Sequence, residues 1–361
     1  MSKAPVAPLK VLIACGGTGG HLFPGIAVAQ ELKKRGHEVR LLISEKAVDA
    51  EASKKYQGLD FETVEMVAKP RTLSLAMIGF LIKVFKTIGQ CRKIIEREKA
   101  NVVLGMGGFT SFPPVKAGAA RGLRTYVHDS NAVPGKSNLL TAKSCTRVLL
   151  GLEKAASHFP NSVVEVTGTP VRDELESLPE RTEALQKFGL KEGLKTLLVM
   201  GGSQGARKLN EIIAEGTEGV EGWQVLHLAG RGDFERLAKQ VAGREHYHVL
   251  AFCDDMGAAY AASDFCVARS GASSLTELST VGLPALLVPY PYAADDHQTA
   301  NAEVYVEADA AVMRQERDLD RSAVQEMFAE LNDEVLSIMG EKMRAQAVPD
   351  AAEKIAKIIE G

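Results

Sequence analysis

The sequence predicts an α/β protein of two Rossmann-like domains with parallel sheets, facing each other across a cleft. Three observations predict it. Short apolar runs rich in Val, Ile and Leu alternate with helical stretches, as parallel strands covered on both faces do. The pattern stops at a polar stretch, 173–193 (DELESLPERTEALQKFGLKEG), and then restarts. Each half opens alike, with a strand, a glycine-rich turn and a helix. The length of 361 residues suits this, since one domain takes about 150.

In the first half, 9–15 (LKVLIAC) is an apolar run stopped by glycines, hence a buried strand. A helix is expected over 24–35, ending near Gly36, and the next strand over Glu38–Ile43. Further strand-like runs are 101–104, 124–128, 146–150 and 163–166. In the second half, 194–200 (LKTLLVM) runs into GGSQGAR, and 225–228, 248–252, 264–268 and 285–288 follow. The boundary is expected near 167–172, giving domains 1–167 and 168–361. Whether the C-terminal helix, roughly 350–360, crosses back to the first domain stays open.

Composition narrows the function classes. Lys plus Arg number 43 and Asp plus Glu 46, a formal charge of −3, which argues against a dedicated nucleic-acid binder. Hydrophobic residues at 45% and charged residues at 25% exclude disordered and collagen-like chains. Five scattered cysteines form no CxxC or His/Cys cluster, so buried free thiols in a reducing compartment are expected. The N-terminal stretch lacks the apolar core of a secretory signal, and no apolar run approaches the ~20 residues of a membrane span. A soluble, cytoplasmic protein is expected.

The first turn is Gly16-Gly17-Thr18-Gly19-Gly20-His21. Backbone without Cβ approaches a ligand closely, and amides at a helix N-terminus favour an anion such as a diphosphate. It is not GxGxxG, because from Gly17 that pattern needs glycine where Leu22 stands. No acidic residue ends the second strand either (Arg40-Leu41-Leu42-Ile43-Ser44), so a nicotinamide dehydrogenase is disfavoured. The second turn, Gly201-Gly202-Ser203-Gln204-Gly205-Ala206-Arg207, follows the same logic, with the Ser203 hydroxyl beside the amides as a phosphate contact or an N-cap. In a third segment, Arg269 to Glu277, Glu277 is expected in the first turn of a helix. Ser274-x-x-Glu277 reads equally as a capping box or as a carboxylate for a ribose diol.

Taken in order, GGTGGHLFPGIAVA, VVLGMGGFTSFPP, HDSNAVPGKSN, GTPVR, GGSQGARKLN, DDM and SGASSLTELSTVGLPALLVPYPYAADDHQTANA resemble the MurG family of glycosyltransferases. The resemblance runs from about residue 9 to 357. It implies the GT-B fold and transfer of N-acetylglucosamine from UDP-GlcNAc to lipid I (undecaprenyl-diphospho-MurNAc-pentapeptide), giving lipid II. Acceptor and membrane contact would fall on the N-terminal domain, the donor mainly on the C-terminal one. It further implies that Thr18, Gly19 and Gly20 line the donor–acceptor cleft and that Asn131 touches the donor sugar. Arg172 and Ser203 match donor-site positions, and Cys253 offers its backbone to uracil. Ala272, Ser273, Ser274, Leu275, Thr276 and Glu277 form the nucleotide-holding helix start, with Glu277 on the ribose, and Gln298 recognises GlcNAc hydroxyls. The chain departs from the family where HDSN replaces HEQN, GTPVR replaces GNPVR, and Phe109 replaces a frequent Tyr. Asp129, one methylene shorter than Glu, would reach a partner only through shifted backbone or a water.

Inverting transfer needs a stabilised diphosphate and a base for the attacking hydroxyl. His21 is the candidate base, with a helix-capping histidine as the equal alternative. Asp254-Asp255 and Asp295-Asp296 read as loop or cap carboxylates, and no metal or other cofactor is expected. The stretch 73–86, apolar with Lys83 and Lys86 and continuing to Arg92 and Lys93, reads as a core helix or as a contact for an anionic membrane surface. From the residues alone, another UDP-sugar transferase, a non-catalytic two-lobed binding protein and a nucleotide-sugar epimerase are the rival readings.

Overall fold

The computed structural model describes residues 7–65, 75–175, 177–202 and 206–361. They form two compact units, one running to Arg172 and including Val348–Gly361, the other Asp173–Ala347.

In the first unit the order is β1 (Lys10–Ala14), α1 (Gly19–Lys34), β2 (Glu38–Ile43), α2 (Ala47–Lys55), β3 (Asp60–Thr63), α3 (Leu75–Glu98) and β4 (Val102–Gly105). Then come α4 (Phe112–Ala119), β5 (Arg124–Asp129), α5 (Lys136–Ala142), β6 (Arg147–Leu150) and β7 (Val164–Val166). Among the described residues the sheet is parallel in the order β3-β2-β1-β4-β5-β6-β7. Chain direction across the sheet reverses between β1 and β4, the switch point where open α/β sheets bind ligands.

The second unit runs α6 (Arg181–Lys187), β8 (Lys195–Met200), α7 (Arg207–Gly216), β9 (Trp223–Leu228), α8 (Phe234–Gln240), β10 (Tyr247–Leu250) and α9 (Met256–Ala261). It continues with β11 (Phe265–Ala268), α10 (Ala272–Val281), β12 (Ala285–Leu287), α11 (His297–Glu307), β13 (Ala311–Met313), α12 (Arg321–Glu330) and α13 (Asp333–Ala345). Its parallel sheet, β10-β9-β8-β11-β12-β13, switches between β8 and β11.

The last helix, α14 (Ala351–Glu360), packs on α1 in the first unit. Ile355, Ala356 and Ile359 are fully buried in the core that contains Leu22, Ile26 and Leu32. Arg35 holds Glu353 and Glu360, each at 3.1 Å. His37 accepts the Leu9 amide on Nδ1, so its Nε2–H donates to Glu360 at 3.0 Å. Residues 168–172, expected in the second domain, belong with the first unit. Thr167 and Gly168 both donate to the Leu150 carbonyl, and the Gly168 Cα packs so closely on Val348 that a Cβ there would lie 2.6 Å away.

Three elements differ from expectation. α1 begins at Gly19 rather than 24 and holds Gly19, Gly20, Pro24 and Gly25, residues that weaken helices in isolation. Packing overrides them: a Cβ on Gly25 would stand 2.4 Å from the Cys15 Cβ, so glycine lets α1 lie directly on β1. β3 and β13 are not among the expected strands; both lie at sheet edges and are short and partly exposed, one mixed in sequence (DFET) and one of only three apolar residues (AVM).

Candidate active site

In the first unit three loops meet at the carboxyl ends of β1, β4 and β5. The β1 loop is held from α2 and the segment before it. Asp49, fully buried, accepts from the Gly17 amide (2.9 Å), the Ser44 amide (2.7 Å) and the Ser44 hydroxyl. Lys46 Nζ donates to the Gly17 carbonyl at 2.8 Å. Gly17, at φ +109°, is thus gripped at both backbone groups, and its amide faces Asp49 rather than a ligand.

Thr18 is the N-cap of α1, and its Oγ1 lies 3.2 Å from His21 Nδ1. His21 is half-buried in the first turn of that helix, its ring lying against the Gly107–Gly108 peptide; a Cβ on either glycine would sit 3.0 Å from the ring. Burial, reinforced by the Lys46 ammonium and opposed by Asp49, holds its imidazole down at about 4. It is therefore neutral at physiological pH.

The β5 loop is organised by Asp129. This buried carboxylate accepts from the Asn131 amide (2.9 Å), Asn131 Nδ2 (3.2 Å), the Gly135 amide (3.2 Å) and Asn138 Nδ2 (2.8 Å). Burial pushes its carboxyl upward against these donors. An Asx-type turn brings the Asn131 and Gly135 amides directly to this short side chain. Asn138 also accepts the Gly108 amide at 3.1 Å, tying the β5 loop to the glycines under His21. His128 is fully buried, donates Nε2–H to the Gly168 carbonyl at 2.9 Å, and is held by burial at about 4. Arg172 stacks on Phe23 of α1, 4.7 Å from the ring centre.

In the second unit Ser203 lies outside the described residues. Arg207 is exposed and pairs with Glu211 at 3.4 Å. Beneath α7 runs a buried chain of hydrogen bonds. Asn210 Nδ2 donates to Ala229 O (3.0 Å) and to Asp233 (2.8 Å), which leaves Asn210 Oδ1 to accept from His227 Nε2–H at 3.0 Å. The neutral ring then accepts the Tyr247 hydroxyl on Nδ1 at 2.6 Å.

Cys253 is buried, and burial pushes its thiol up. Asp255 caps α9 by accepting from the Ala258 amide (2.9 Å) and pairs with Lys187 at 2.5 Å. α10 has Gly271 as its N-cap, so Ser273, Ser274 and Leu275 fill its first turn. Glu277 stands in the second turn, not the first, and Ser274 does not cap the helix; the capping-box alternative is removed. Glu277 accepts instead from the Tyr260 hydroxyl at 2.7 Å. Thr276 Oγ1 turns back to the Ala272 carbonyl (2.9 Å). Gln298, in the first turn of α11, accepts the Tyr290 amide on Oε1 at 2.9 Å. Asn301 Nδ2 on that helix reaches the Ser270 carbonyl at 3.2 Å, joining it to the start of α10. Buried Arg269 braces the same loop, donating to Val288 O (3.2 Å) and Pro289 O (3.1 Å) and pairing with Glu316.

The sequence reading gave no role to Asp49, Lys46, Asn138, Tyr260 or Arg269. Asn138 and Arg269 lay inside quoted stretches; Asp49, Lys46 and Tyr260 act from neighbouring elements. Among the described residues no group of three or more His, Cys, Asp or Glu side chains could hold a metal ion.

Two doubly wound parallel sheets with ligand-type loops at their switch points make the paired Rossmann-like architecture of the GT-B fold. The glycosyltransferase family 28 N-terminal domain matches residues 11–150, and the family 28 C-terminal domain matches 196–359. A relative from Halorhodospira halophila is 38% identical, covering 97% of each chain, and one from Shewanella denitrificans is 37% identical over 99% of this chain and 98% of its own. Both are named UDP-N-acetylglucosamine--N-acetylmuramyl-(pentapeptide) pyrophosphoryl-undecaprenol N-acetylglucosamine transferase. The crystal structure of Acinetobacter baumannii MurG superposes with a TM-score of 0.76 at 27% identity, covering 98% of this chain and 99% of that one. The chain belongs to this transferase family.

Proposed function

We propose that the protein transfers N-acetylglucosamine from UDP-GlcNAc to the C4 hydroxyl of the MurNAc unit of lipid I, forming lipid II for peptidoglycan. The similarity of nearly the whole chain to relatives named for that transfer carries the reading. In this reading the second unit binds the donor. The segment at Cys253 offers backbone to uracil, Glu277 takes the ribose diol, and amides at the start of α10, with Ser203, receive the diphosphate. Gln298, whose Oε1 is committed to Tyr290, presents its amide donor to the sugar hydroxyls. Thr18, Gly19, Gly20, Asn131 and Arg172 of the first unit are the remaining residues assigned to the donor.

The reaction displaces UDP from the anomeric carbon with inversion. The C4 oxygen forms the new bond, the C1–O bond to the diphosphate breaks, and the hydroxyl proton passes to a base. His21 suits that base because it is neutral in the free protein. Approach of two anionic diphosphates favours its protonated form and so raises its basicity when substrate is bound. The enzyme works at the cytoplasmic face of the membrane as a peripheral protein. Among the described residues no helix is long and apolar enough to cross a membrane.

The test is sugar transfer from UDP-GlcNAc to a short-chain lipid I analogue. Turnover is expected, and His21→Ala should lower kcat by about 100-fold or more with little change in UDP-GlcNAc affinity. Absence of transfer together with no binding of UDP by calorimetry would overturn the reading.

A further inference from the structure

α9 touches the donor region at both ends. At its start Asp255, two residues after Cys253, caps the helix. In its last turn Tyr260, buried to 3% exposure, sends its hydroxyl to Glu277 Oε2 at 2.7 Å. The same hydroxyl lies 3.8 Å from the sulfur of Met200, the last residue of β8 before Gly201-Gly202. An ionised carboxylate accepts only, so the phenol is the donor and fixes the direction from which one carboxylate oxygen is held. A long, rotatable Glu side chain on the second turn of a helix otherwise samples several rotamers, at an entropic cost on binding.

We propose that Tyr260 is a positioning residue for donor recognition: its hydroxyl holds the Glu277 carboxylate in the orientation that reads the ribose diol of a uridine-diphosphate sugar. The inference rests on the proposed function, which places the ribose at Glu277. It adds that α9 couples base and sugar reading, since one short helix carries the cap beside the uracil segment and the phenol behind the ribose ligand.

Tyr260→Phe removes one hydroxyl and keeps the buried ring, so packing is preserved. The measurement is kcat/KM for UDP-GlcNAc against its 2′-deoxyribose and 3′-deoxyribose analogues, in wild type, Tyr260→Phe and Glu277→Gln. The ratio of two substrates on one preparation does not depend on the fraction of molecules folded. Wild type should discriminate against at least one deoxy analogue. In Tyr260→Phe that discrimination should shrink by about three- to tenfold, through a higher KM for UDP-GlcNAc with kcat within about twofold. Glu277→Gln should lose it to a similar or greater extent.

Wild-type discrimination retained in Tyr260→Phe would overturn the inference, whatever happens to stability or to KM alone. So would wild-type discrimination in Glu277→Gln, which would remove Glu277 from the ribose. A wild-type protein that neither binds nor turns over UDP-GlcNAc would instead remove the proposed function, and this inference with it.

Discussion

Asp49 shows how much of a site is made by residues that never meet the substrate. Its fully buried carboxylate satisfies the amides of Gly17 and Ser44, while Lys46 takes the carbonyl of the same glycine. Asp49→Ala would leave three donors unmet, the buried amide and hydroxyl of Ser44 and the half-buried amide of Gly17, and release the turn that sets Thr18 and His21. Unsatisfied buried groups cost about 1–3 kcal/mol each, so a loss of about 2–4 kcal/mol in urea-unfolding stability is expected. Transfer should fall further than the folded fraction accounts for, because the His21 ring loses its place against Gly107 and Gly108. Specific activity per folded molecule at the wild-type level would show that the clamp serves stability alone. Asp49 was illegible in the sequence because a lone Asp in a polar helix reads as a solvated charge. Its burial depends on the loops of two strands closing over it.

α3 carries the clearest conflict between burial and composition. Its inner face, with Phe80, Val84, Ile88, Cys91, Ile94 and Ile95, is buried in the core. Its outer face presents Ile78, Leu81, Ile82 and Phe85, with Ile82 63% and Phe85 70% exposed. These four follow the i, i+3, i+4, i+7 spacing of one helical stripe, with exposed Lys83 and Lys86 beside them. The sequence offered a core helix or a membrane contact: the inner face packs in the core, and the exposed outer stripe is the face a membrane contact would use; residues 73 and 74 of that stretch lie outside the described residues. Burying such a stripe in the acyl–headgroup boundary while lysines meet anionic lipid is the energetics of an interfacial helix. Ile82→Ser combined with Phe85→Ser should therefore weaken flotation with anionic vesicles by about tenfold or more, leaving UDP-GlcNAc binding intact. Equal flotation of the variant and the wild type would remove α3 as the contact. The same contrast of faces explains which elements were legible. Central strands such as β1, β4, β8 and β11 are continuous apolar runs and stand where expected. β3 and β13 are edge strands, half solvated and only four and three residues long, with no periodicity to find. The start of α1 was hidden because Gly19, Gly20 and Pro24 are weak helix formers, and Gly25 serves contact with Cys15 and Met106 rather than helix propensity. Glu277 was placed one turn early because Ser274 mimics a cap that Gly271 supplies.

Across the molecule, the buried histidines set an acid limit on stability. His128 in the first unit and His227 in the second are fully buried and neutral, held by burial at about 4 and about 3. In the unfolded chain each titrates near 6.5. The folded form thus resists a proton that the unfolded form accepts. The stability this contributes is complete above about pH 6.5 and is lost progressively as pH falls toward the folded values. Asp129 acts oppositely: its raised carboxyl makes protonation favour the fold, offsetting part of the first unit's loss. Asp233 is pulled upward by burial, but its bonds to Arg236 and Asn210 prevail and hold it below the usual carboxylate range. It therefore weakens the fold only at lower pH; in the second unit His248 on β10 is also held below the usual imidazole value by burial and adds to the His227 effect. That unit also holds the chain's one tryptophan, Trp223, on the same strand as His227, so its fluorescence in urea follows the right unfolding event. Between pH 7 and pH 5 the wild type should lose on the order of 2 kcal/mol by this probe. His227→Gln keeps a polar group beside Asn210 and Tyr247 but cannot titrate. It should be less stable at pH 7 yet show a much shallower slope with pH. Parallel slopes for the two proteins would mean that the buried imidazole does not set the acid limit.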